Sequence, residues 1–180
     1  MTRSTRSVYA NPWIEVREDE VELPWGGTTT YGVVTTGRCV GVLPFAGPDE
    51  VLLVHQWRYV AGRAMWEVPT GGVHEGEDVR TAAARELAEE AGVAAAHLEE
   101  VSTLHTSKSV VDETATLFVA GGLVDVVAEA DPTERISVHR VAFDEAVAMV
   151  LDGSILDAMS VVVILLADRR RRRGEPGPWS

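Results

Sequence analysis

Three glutamates in one short segment have the spacing of a cation-binding cluster. Glu86, Glu89 and Glu90 lie within Asp78–Ala91, a stretch rich in alanine and glutamate that is predicted to be a helix ending at Gly92. At about 100° per residue, Glu90 and Glu89 fall about 40° and about 60° to either side of Glu86, so the three carboxylates share one face. The opposite side, which is expected to pack against a sheet, carries Ala84, Leu87, Ala88 and Ala91.

Carboxylates crowded on one helical turn repel one another unless a positive group lies among them. Hard oxygen ligands of this kind suit Mg²⁺ or Mn²⁺. Arg85 can brace the cluster by forking to a neighbouring carboxylate. The helical wheel alone agrees equally well with an ordinary acidic surface helix.

The complete stretch Gly71–Val93, GGVHEGEDVRTAAARELAEEAGV, has a more specific pattern. A glycine, a glutamate, an Arg-Glu pair, an aliphatic residue, a Glu-Glu pair, a glycine and an aliphatic residue follow at fixed spacing. The stretch resembles the Nudix box at every defined position. This resemblance identifies the chain as a Nudix hydrolase, an enzyme that cuts the diphosphate bond of a nucleoside diphosphate linked to another moiety.

The resemblance implies the Nudix fold, an α/β/α sandwich of a mixed sheet between helices, with a divalent-cation site in the box. Glu86 and Glu90 are then the principal metal ligands. Glu89 binds a metal directly or through water, and the carbonyl of Thr70 is the backbone ligand. The implied cofactor is Mg²⁺, with Mn²⁺ as the alternative.

The rest of the box is expected to support this site. By the same resemblance, Glu77 holds Arg85 or the loop in place, and Arg85 and Glu89 count among the catalytic residues. Gly71 and Gly72 permit the tight backbone approach that such a loop needs.

Segments outside the box resemble one branch of the family. VLLVHQWR at Val51–Arg58, WEVPTG at Trp66–Gly71 and the acidic stretch Phe143–Ala158 are similar to segments of ADP-ribose pyrophosphatases and related NDP-sugar hydrolases. The likeness covers Trp13–Leu166. It implies a homodimer that hydrolyses ADP-ribose to AMP and ribose 5-phosphate, or hydrolyses a related NDP-sugar.

Four residues are candidate substrate contacts. In similar enzymes N-terminal aromatic residues enclose the adenine, and Trp13 and Tyr31 are placed for that stacking; alternatively, both fix the N-terminal hairpin to the core. Arg58 ends a strand beside the box and can fork to a phosphate, or it faces solvent. Glu67 binds substrate or supports a neighbouring group, or it points outward on an alternating strand.

The loop that begins at residue 105 departs from this branch. Similar pyrophosphatases have a Pro-Gly turn there, whereas this chain has HTSKSVVDETA, without proline or glycine. Because this loop often supplies the base, Glu113 is the predicted general base, with Asp112 and Glu134 as alternatives. His105 and Lys108 are placed to contact a phosphate or a sugar instead.

Hydrophobic periodicity predicts a mixed α+β fold with strands in the middle of the chain. Residues 1–12 are expected to be a flexible N-terminus, residues 13–168 one Nudix domain with a hairpin arm at 13–36, and residues 169–180 a basic, Gly/Pro-rich, frayed tail. The strands predicted after the hairpin are Cys39–Phe45, Val51–Arg58, Met65–Val68, Glu100–Thr106, Thr114–Ala120 and Ile136–Ala142. The helices predicted after them are Phe143–Leu151 and Ile155–Arg171.

Composition limits the partners. The formal net charge of −12 over 180 residues argues against nucleic acid as the main partner and favours a cation that brings a phosphate substrate to acidic groups. Cys39 is the only cysteine, Met1–Ala10 has no apolar signal-peptide core, and the longest apolar run, Val161–Ala167, is too short to cross a bilayer. We therefore expect a cytoplasmic protein without a membrane partner.

Two other function classes stay open. The first is a different Nudix chemistry, namely hydrolysis of nucleoside triphosphates or of other dinucleotides. The second is a non-catalytic Nudix module that senses a nucleotide sugar. Such modules tend to have eroded boxes and an attached DNA-binding domain, whereas this box is intact.

Overall fold

The computed structural model describes residues 1–128 and 135–180. Within these residues the chain forms nine strands and three helices. They follow in this order: β1 (Thr2–Ala10), β2 (Glu15–Glu22), β3 (Thr28–Gly47), β4 (Glu50–Arg58), β5 (Arg63–Glu67), β6 (Thr70–Gly72), α1 (Val79–Ala91), β7 (Val93–His105), β8 (Val111–Asp125), β9 (Ile136–Ala142), α2 (Phe143–Leu151) and α3 (Ala158–Arg172).

The strands join into one sheet whose main path runs β1, β2, β3, β4, β5. Strand β3 also pairs with β6 and β8, β7 pairs with β8, and β9 pairs with β4. The pairs β1–β2, β2–β3, β3–β6, β4–β5 and β4–β9 are antiparallel. The predicted α+β class is confirmed.

Strand β3 has helices on both of its faces. Successive side chains of a strand point to opposite faces, so neighbouring residues show what packs on each. Val42 packs in the core cluster with helix α1. Gly41 faces the other way, since a Cβ there would lie 3.5 Å from Met159 of helix α3. Phe45, on the same face as Gly41, contacts Phe143 of helix α2 with 5.3 Å between ring centroids. Helix α1 therefore covers one face and helices α2 and α3 the other, which confirms the predicted sandwich.

The boundaries of helix α1 follow from its capping residues. The side chain of Asp78 accepts hydrogen bonds from the backbone N–H groups of Arg80 and Thr81, which otherwise have no partner at a helix start. Gly92 ends the helix with a φ of 66°, a left-handed conformation that glycine adopts without strain. The predicted helix is therefore confirmed.

The buried face of helix α1 differs from the predicted one. Ala84 is exposed and Ala88 is only half-buried, whereas Glu86 and Glu90 are 8% and 6% exposed. The rest of the buried face is formed by Ala82, Ala83, Leu87 and Ala91. The predicted burial of Leu87 and Ala91 is confirmed, but the carboxylates of Glu86 and Glu90 are buried with them instead of facing away.

The described residues form two compact units. The first unit comprises residues 1–38 and 104–115, and the second comprises 39–103 and 116–180. Strands β3, β7 and β8 contribute residues to both. Helix α1 and the glutamates that it carries belong to the second unit.

The N-terminal region of the first unit is more ordered than predicted. Thr2–Ala10, expected to be flexible, is strand β1 and pairs antiparallel with β2 from Thr2 opposite Val21 to Ala10 opposite Glu15. With β3 it makes a three-stranded meander in place of a simple hairpin. All residues of β1 are exposed, so the strand carries no apolar alternation that a sequence pattern could reveal.

The C-terminal tail is also ordered, contrary to the predicted frayed end. Helix α3 begins after Asp157, which caps it through Ser160 N–H, and continues to Arg172. Beyond it, Trp179 is only 9% exposed and packs on Phe45 with 5.2 Å between ring centroids. Arg170 pairs with Glu99 at 2.7 Å, so part of the basic run is bound to the protein itself.

Among the described residues, no helix is long and apolar enough to cross a membrane.

Candidate functional site

Arg85 connects three carboxylates at the N-terminal side of the box. Its Nη1 donates to Glu86 at 2.6 Å and to Glu89 at 3.0 Å. Its Nε and Nη2 fork to the two oxygens of Glu77 at 3.1 and 3.0 Å, and Nη2 also donates to the carbonyl of Gly72 at 2.8 Å. The arginine thus ties helix α1 to the loop before it.

The same contacts shift ionisation. Hydrogen bonds from the Arg85 side chain and then from the backbone N–H of His74 lower the pKa of Glu77 to about 2, with the nearby positive charge adding to the effect. The hydrogen bonds to Glu77, followed by those to Glu86 and Glu89, raise the pKa of Arg85. Glu77 is therefore ionised across the physiological range. It holds both Arg85 and the loop, as predicted.

Glu90 is fixed from the sheet side. Its Oε2 accepts a hydrogen bond from the backbone N–H of Thr70 at 2.7 Å, and its Oε1 lies 3.4 Å from Nε2 of Gln56. Thr70 begins strand β6 and is itself buried. The carboxylate therefore bridges helix α1 and two strands of the sheet.

Glu86 lies against the backbone of strand β6. A Cβ built on Gly71 would stand 2.0 Å from the carboxylate of Glu86, far inside any permitted contact. At neighbouring Gly72 a Cβ would meet nothing within 4 Å. Of the two box glycines, only Gly71 is required by a close approach.

The burial of Glu86 and Glu90 sets a requirement for charge compensation. A buried carboxylate is costly unless it is paired, hydrogen-bonded or bound to a cation. Glu89 is more open, with 35% of its side chain exposed. The oxygen atoms of these side chains and of the adjoining backbone are ligands of the kind that a hard divalent ion prefers.

The three glutamates are not drawn together as a finished ligand set. Across residues 1–128 and 135–180, no group of three or more His, Cys, Asp or Glu side chains has the arrangement of a metal site. The reason is visible in their contacts, because Arg85 holds Glu86 and Glu89 while Thr70 holds Glu90. The residues fit a divalent ion by the chemistry of their oxygens, which in this structure accept hydrogen bonds from Arg85 and Thr70.

Arg58 and Glu67 form a second paired group in the same unit. Arg58 Nε donates to both oxygens of Glu67 at 3.0 Å, and its Nη2 donates to Oε2 at 2.6 Å and to the hydroxyl of Thr70 at 3.4 Å. Glu67 is only 3% exposed, so the alternative of an outward strand residue was wrong. The solvent-facing alternative for Arg58 was also wrong, since two thirds of its side chain is buried.

The other candidates lie in the first unit. Glu113, the predicted base, accepts a hydrogen bond from the hydroxyl of Thr36 at 2.9 Å. Asp112 lies 3.9 Å from Arg17 and is mostly exposed, and with His105 and Lys108 it lines a cavity of about 310 Å³. Glu134, the other alternative base, lies outside the described residues.

The two aromatic candidates of the first unit are exposed. Trp13 is 78% exposed in the turn between β1 and β2, and Tyr31 is 45% exposed on β3. Neither is packed as an apolar residue that fixes the hairpin to the core would be. Both rings keep surface for another aromatic group.

Sequence reasoning missed Gln56. It is 4% exposed and lies on the same face of β4 as Leu52 and Val54, because alternate residues share a face. A glutamine at a position that should be apolar, in the run VLLVHQWR, was the available signal.

Comparisons with known proteins match nearly the whole chain to two described domains. Residues 35–179 match the NUDIX domain, and residues 2–34 match the nucleoside diphosphate sugar hydrolase N-terminal domain. The chain is 29% identical over 165 residues to the methanol dehydrogenase activator of Bacillus methanolicus, covering 91% of this chain and 89% of that protein. It is 30% identical over 171 residues to the ADP-ribose pyrophosphatase of Mycobacterium tuberculosis, covering 91% and 81%.

A solved structure described as an ADP compounds hydrolase has the same fold. It superimposes with a TM-score of 0.86 at 21% sequence identity, covering 98% of this chain and 96% of that one. The match extends over nearly all of both chains, including the N-terminal strands.

Proposed function

The chain belongs to the Nudix family of pyrophosphohydrolases, and from this premise we propose that it hydrolyses the diphosphate bond of ADP-ribose or a related NDP-sugar. The products from ADP-ribose would be AMP and ribose 5-phosphate. The observation that carries the proposal is the pair of buried carboxylates, Glu86 and Glu90, held against strand β6 by Arg85 and the Thr70 N–H.

We propose Mg²⁺, with Mn²⁺ as a substitute, as the cofactor. Glu86, Glu90, Glu89 and the carbonyl of Thr70 would hold it, since all four supply the hard oxygen atoms that these ions prefer. Bound divalent cations would neutralise charge on the diphosphate oxygens and lower the pKa of the attacking water.

The protein's own groups have separate roles in this proposal. Arg85, tied to Glu77, keeps the helix and the preceding loop in place and orients Glu86 and Glu89. Glu113 would take the proton from the attacking water, and Asp112 is its alternative among the described residues. Arg58, already oriented by Glu67, would bind a phosphate of the substrate.

The choice of ADP-ribose has two supports. A relative that covers most of this chain is named ADP-ribose pyrophosphatase, and the N-terminal strands match a domain named for nucleoside diphosphate sugar hydrolases. The exposed rings of Trp13 and Tyr31 would stack on the adenine. We expect the protein to act as a homodimer and to lie in the cytoplasm.

The test is a substrate panel with wild type and Glu90→Gln under Mg²⁺. ADP-ribose, other NDP-sugars, dinucleotides and nucleoside triphosphates are assayed for nucleoside monophosphate and pyrophosphate. We expect AMP from ADP-ribose and a loss of turnover by about a hundredfold or more in Glu90→Gln, because a buried metal ligand is lost. Circular dichroism checks that the variant keeps the wild-type fold.

Glu145→Gln is the matched control, because Glu145 is an exposed glutamate of helix α2. It should keep wild-type turnover. Undiminished hydrolysis by Glu90→Gln would remove this carboxylate from the mechanism. Pyrophosphate release from triphosphates would instead favour the other Nudix chemistry, and binding without turnover would favour a sensor.

A further inference from the structure

Gln56 is a buried polar residue of strand β4. Leu52, Val54 and Gln56 share one face of the strand and are 4%, 0% and 4% exposed. A primary amide at such a depth is unfavourable unless its donors and acceptor find partners. The place of Gln56 among apolar neighbours therefore requires a reason.

Its partner is Glu90 of helix α1. The Nε2 of Gln56 lies 3.4 Å from Oε1 of Glu90, at the long end of a hydrogen bond, while the N–H of Thr70 donates to Oε2 at 2.7 Å. Each oxygen of the carboxylate thus has its own donor. One donor alone leaves a carboxylate able to turn about its terminal bond, whereas two donors on different oxygens fix its plane.

We propose that Gln56 is a positioning residue that orients Glu90 for divalent-cation binding. This inference rests on the proposed function, in which Glu90 is a metal ligand. Gln56 touches neither cation nor substrate and acts through the orientation of Glu90. Hydrogen-bonding partners of this kind orient metal ligands in proteins, and their removal weakens metal binding.

A purely structural role for Gln56 predicts something different. If the amide only satisfied itself in the core, replacing it would change the free energy of unfolding and leave cation affinity unchanged. A positioning role predicts weaker cation affinity, with little change in the affinity for the nucleotide once the cation is saturating.

The experiment replaces Gln56 by methionine, which has a similar length and shape but no N–H donor. Mn²⁺ affinity is measured by electron paramagnetic resonance titration of the protein without substrate. We expect the Kd for Mn²⁺ to rise by about tenfold. In hydrolysis assays the Mg²⁺ concentration for half-maximal rate should rise in parallel, while the KM for ADP-ribose at saturating Mg²⁺ should stay at the wild-type value.

Leu53→Met is the matched control, because Leu53 is also fully buried on β4 but its side chain points to the other face. It should bind Mn²⁺ as wild type does. Equal affinity in Gln56→Met and wild type, or an equal loss in Leu53→Met, would overturn the proposal. Should Gln56→Met fail to fold, Gln56→Asn gives the same test, because its amide is one methylene too short to reach Glu90. Wild-type affinity in Gln56→Asn would overturn the proposal too.

The two proposals fail differently. If the wild type binds Mn²⁺ but hydrolyses nothing in the substrate panel, the proposed function is wrong while the Mn²⁺ titrations still decide the role of Gln56. If the wild type binds no Mn²⁺ at all, the positioning role is wrong as well.

Discussion

Arg85 and Glu77 form the ion pair that joins the loop before helix α1 to the helix itself. Two Arg85 nitrogens bond the two oxygens of Glu77, while a third reaches Glu86 and Glu89. Only 12% of the Glu77 side chain and 22% of the Arg85 side chain are exposed, so water screens the pair weakly. A planar guanidinium can make all these bonds at once, whereas a lysine cannot.

The lowered pKa of Glu77 gives this pair a pH dependence. The carboxyl has a pKa of about 2 in the folded protein against 4.5 ordinarily, so its stabilising effect is complete above about pH 4.5 and is lost as the pH falls toward 2. At pH 7, Glu77→Gln should lower the free energy of unfolding by on the order of 1 kcal/mol. In urea titrations, the difference between variant and wild type should shrink steadily below pH 4.5.

Glu75→Gln serves as the control for this series, because Glu75 is exposed in the same loop. It should differ little from wild type at any pH. A difference for Glu77→Gln that stays constant from pH 7 to pH 3 would contradict the assigned ionisation.

At the residue scale the sequence predicted identities better than contacts. The box pattern named Glu86, Glu90 and Arg85; Arg85 contacts Glu86, while Glu90 is held by the N–H of Thr70. It did not show that Arg58 forks to Glu67 or that Gln56 reaches Glu90. Each contact joins two different elements, and the sequence of one element does not show how it is aligned with the other.

Strand β6 and helix α1 approach each other closely at Gly71. Only a glycine at position 71 leaves room for the carboxylate of Glu86. Asp78 and Gly92 set the two ends of the helix, which fixes the position of its side chains along the strand. The geometry of the glutamates therefore depends on backbone contact as much as on side chains.

Gly71→Ala should displace Glu86, because the new methyl group would overlap its carboxylate. We expect turnover at saturating Mg²⁺ to fall by about ten- to a hundredfold, as for loss of a metal-orienting contact, with some loss of thermal stability. Gly72→Ala is the matched control, since its Cβ would meet nothing within 4 Å. Similar activity in the two variants would show that the close approach does not matter for catalysis.

The sequence did not reveal which side of helix α1 faces the sheet. A helical wheel gives angles between side chains but not which side faces the sheet. Alanine occurs all round this helix, so hydrophobicity distinguished the two sides poorly, and Ala84 was wrongly placed inside. The buried carboxylates are stabilised by Arg85 and by the N–H of Thr70, both outside the alternation that a wheel records.

At the scale of the whole molecule, the C-terminal tail completes the core of the second unit. Trp179 packs on Phe45, its indole N–H donates to the carbonyl of Glu175 at 3.1 Å, and the guanidinium of Arg170 lies 5.5 Å from its ring centre. A Cβ on Gly121 of strand β8 would stand 2.5 Å from Pro178, so the tail lies tightly on the sheet.

Trp179→Ala should lower the free energy of unfolding by about 3 kcal/mol or more, because a large buried ring leaves a cavity. Trp25→Ala is its control, since Trp25 is 81% exposed, and it should change stability by less than about 0.5 kcal/mol. Chemical unfolding followed by circular dichroism measures both. Equal stabilities would mean that the tail is not part of the folding core.

Order at the two ends of the chain was not predictable from local pattern. Strand β1 is mostly polar and exposed on both faces, and the Gly/Pro-rich tail has the composition of a loop. Strand β1 is held by backbone pairing with the next strand, β2, and Trp179 is held by Phe45, which is far away in sequence. In the middle of the chain, Val51–Arg58 was predicted from its apolar run and matches β4, whereas β7 begins at Val93, before the predicted start at Glu100.

The balance of charge around Arg85 determines how a reaction could begin. Glu77, Glu86 and Glu89 share the guanidinium of Arg85, so these three carboxylates and one arginine leave a net negative charge. A diphosphate is also an anion, and it would be repelled on approach if it came alone. If the proposed function holds, metal ions would bind before the nucleotide or arrive together with it, because the carboxylates would repel a diphosphate that came alone.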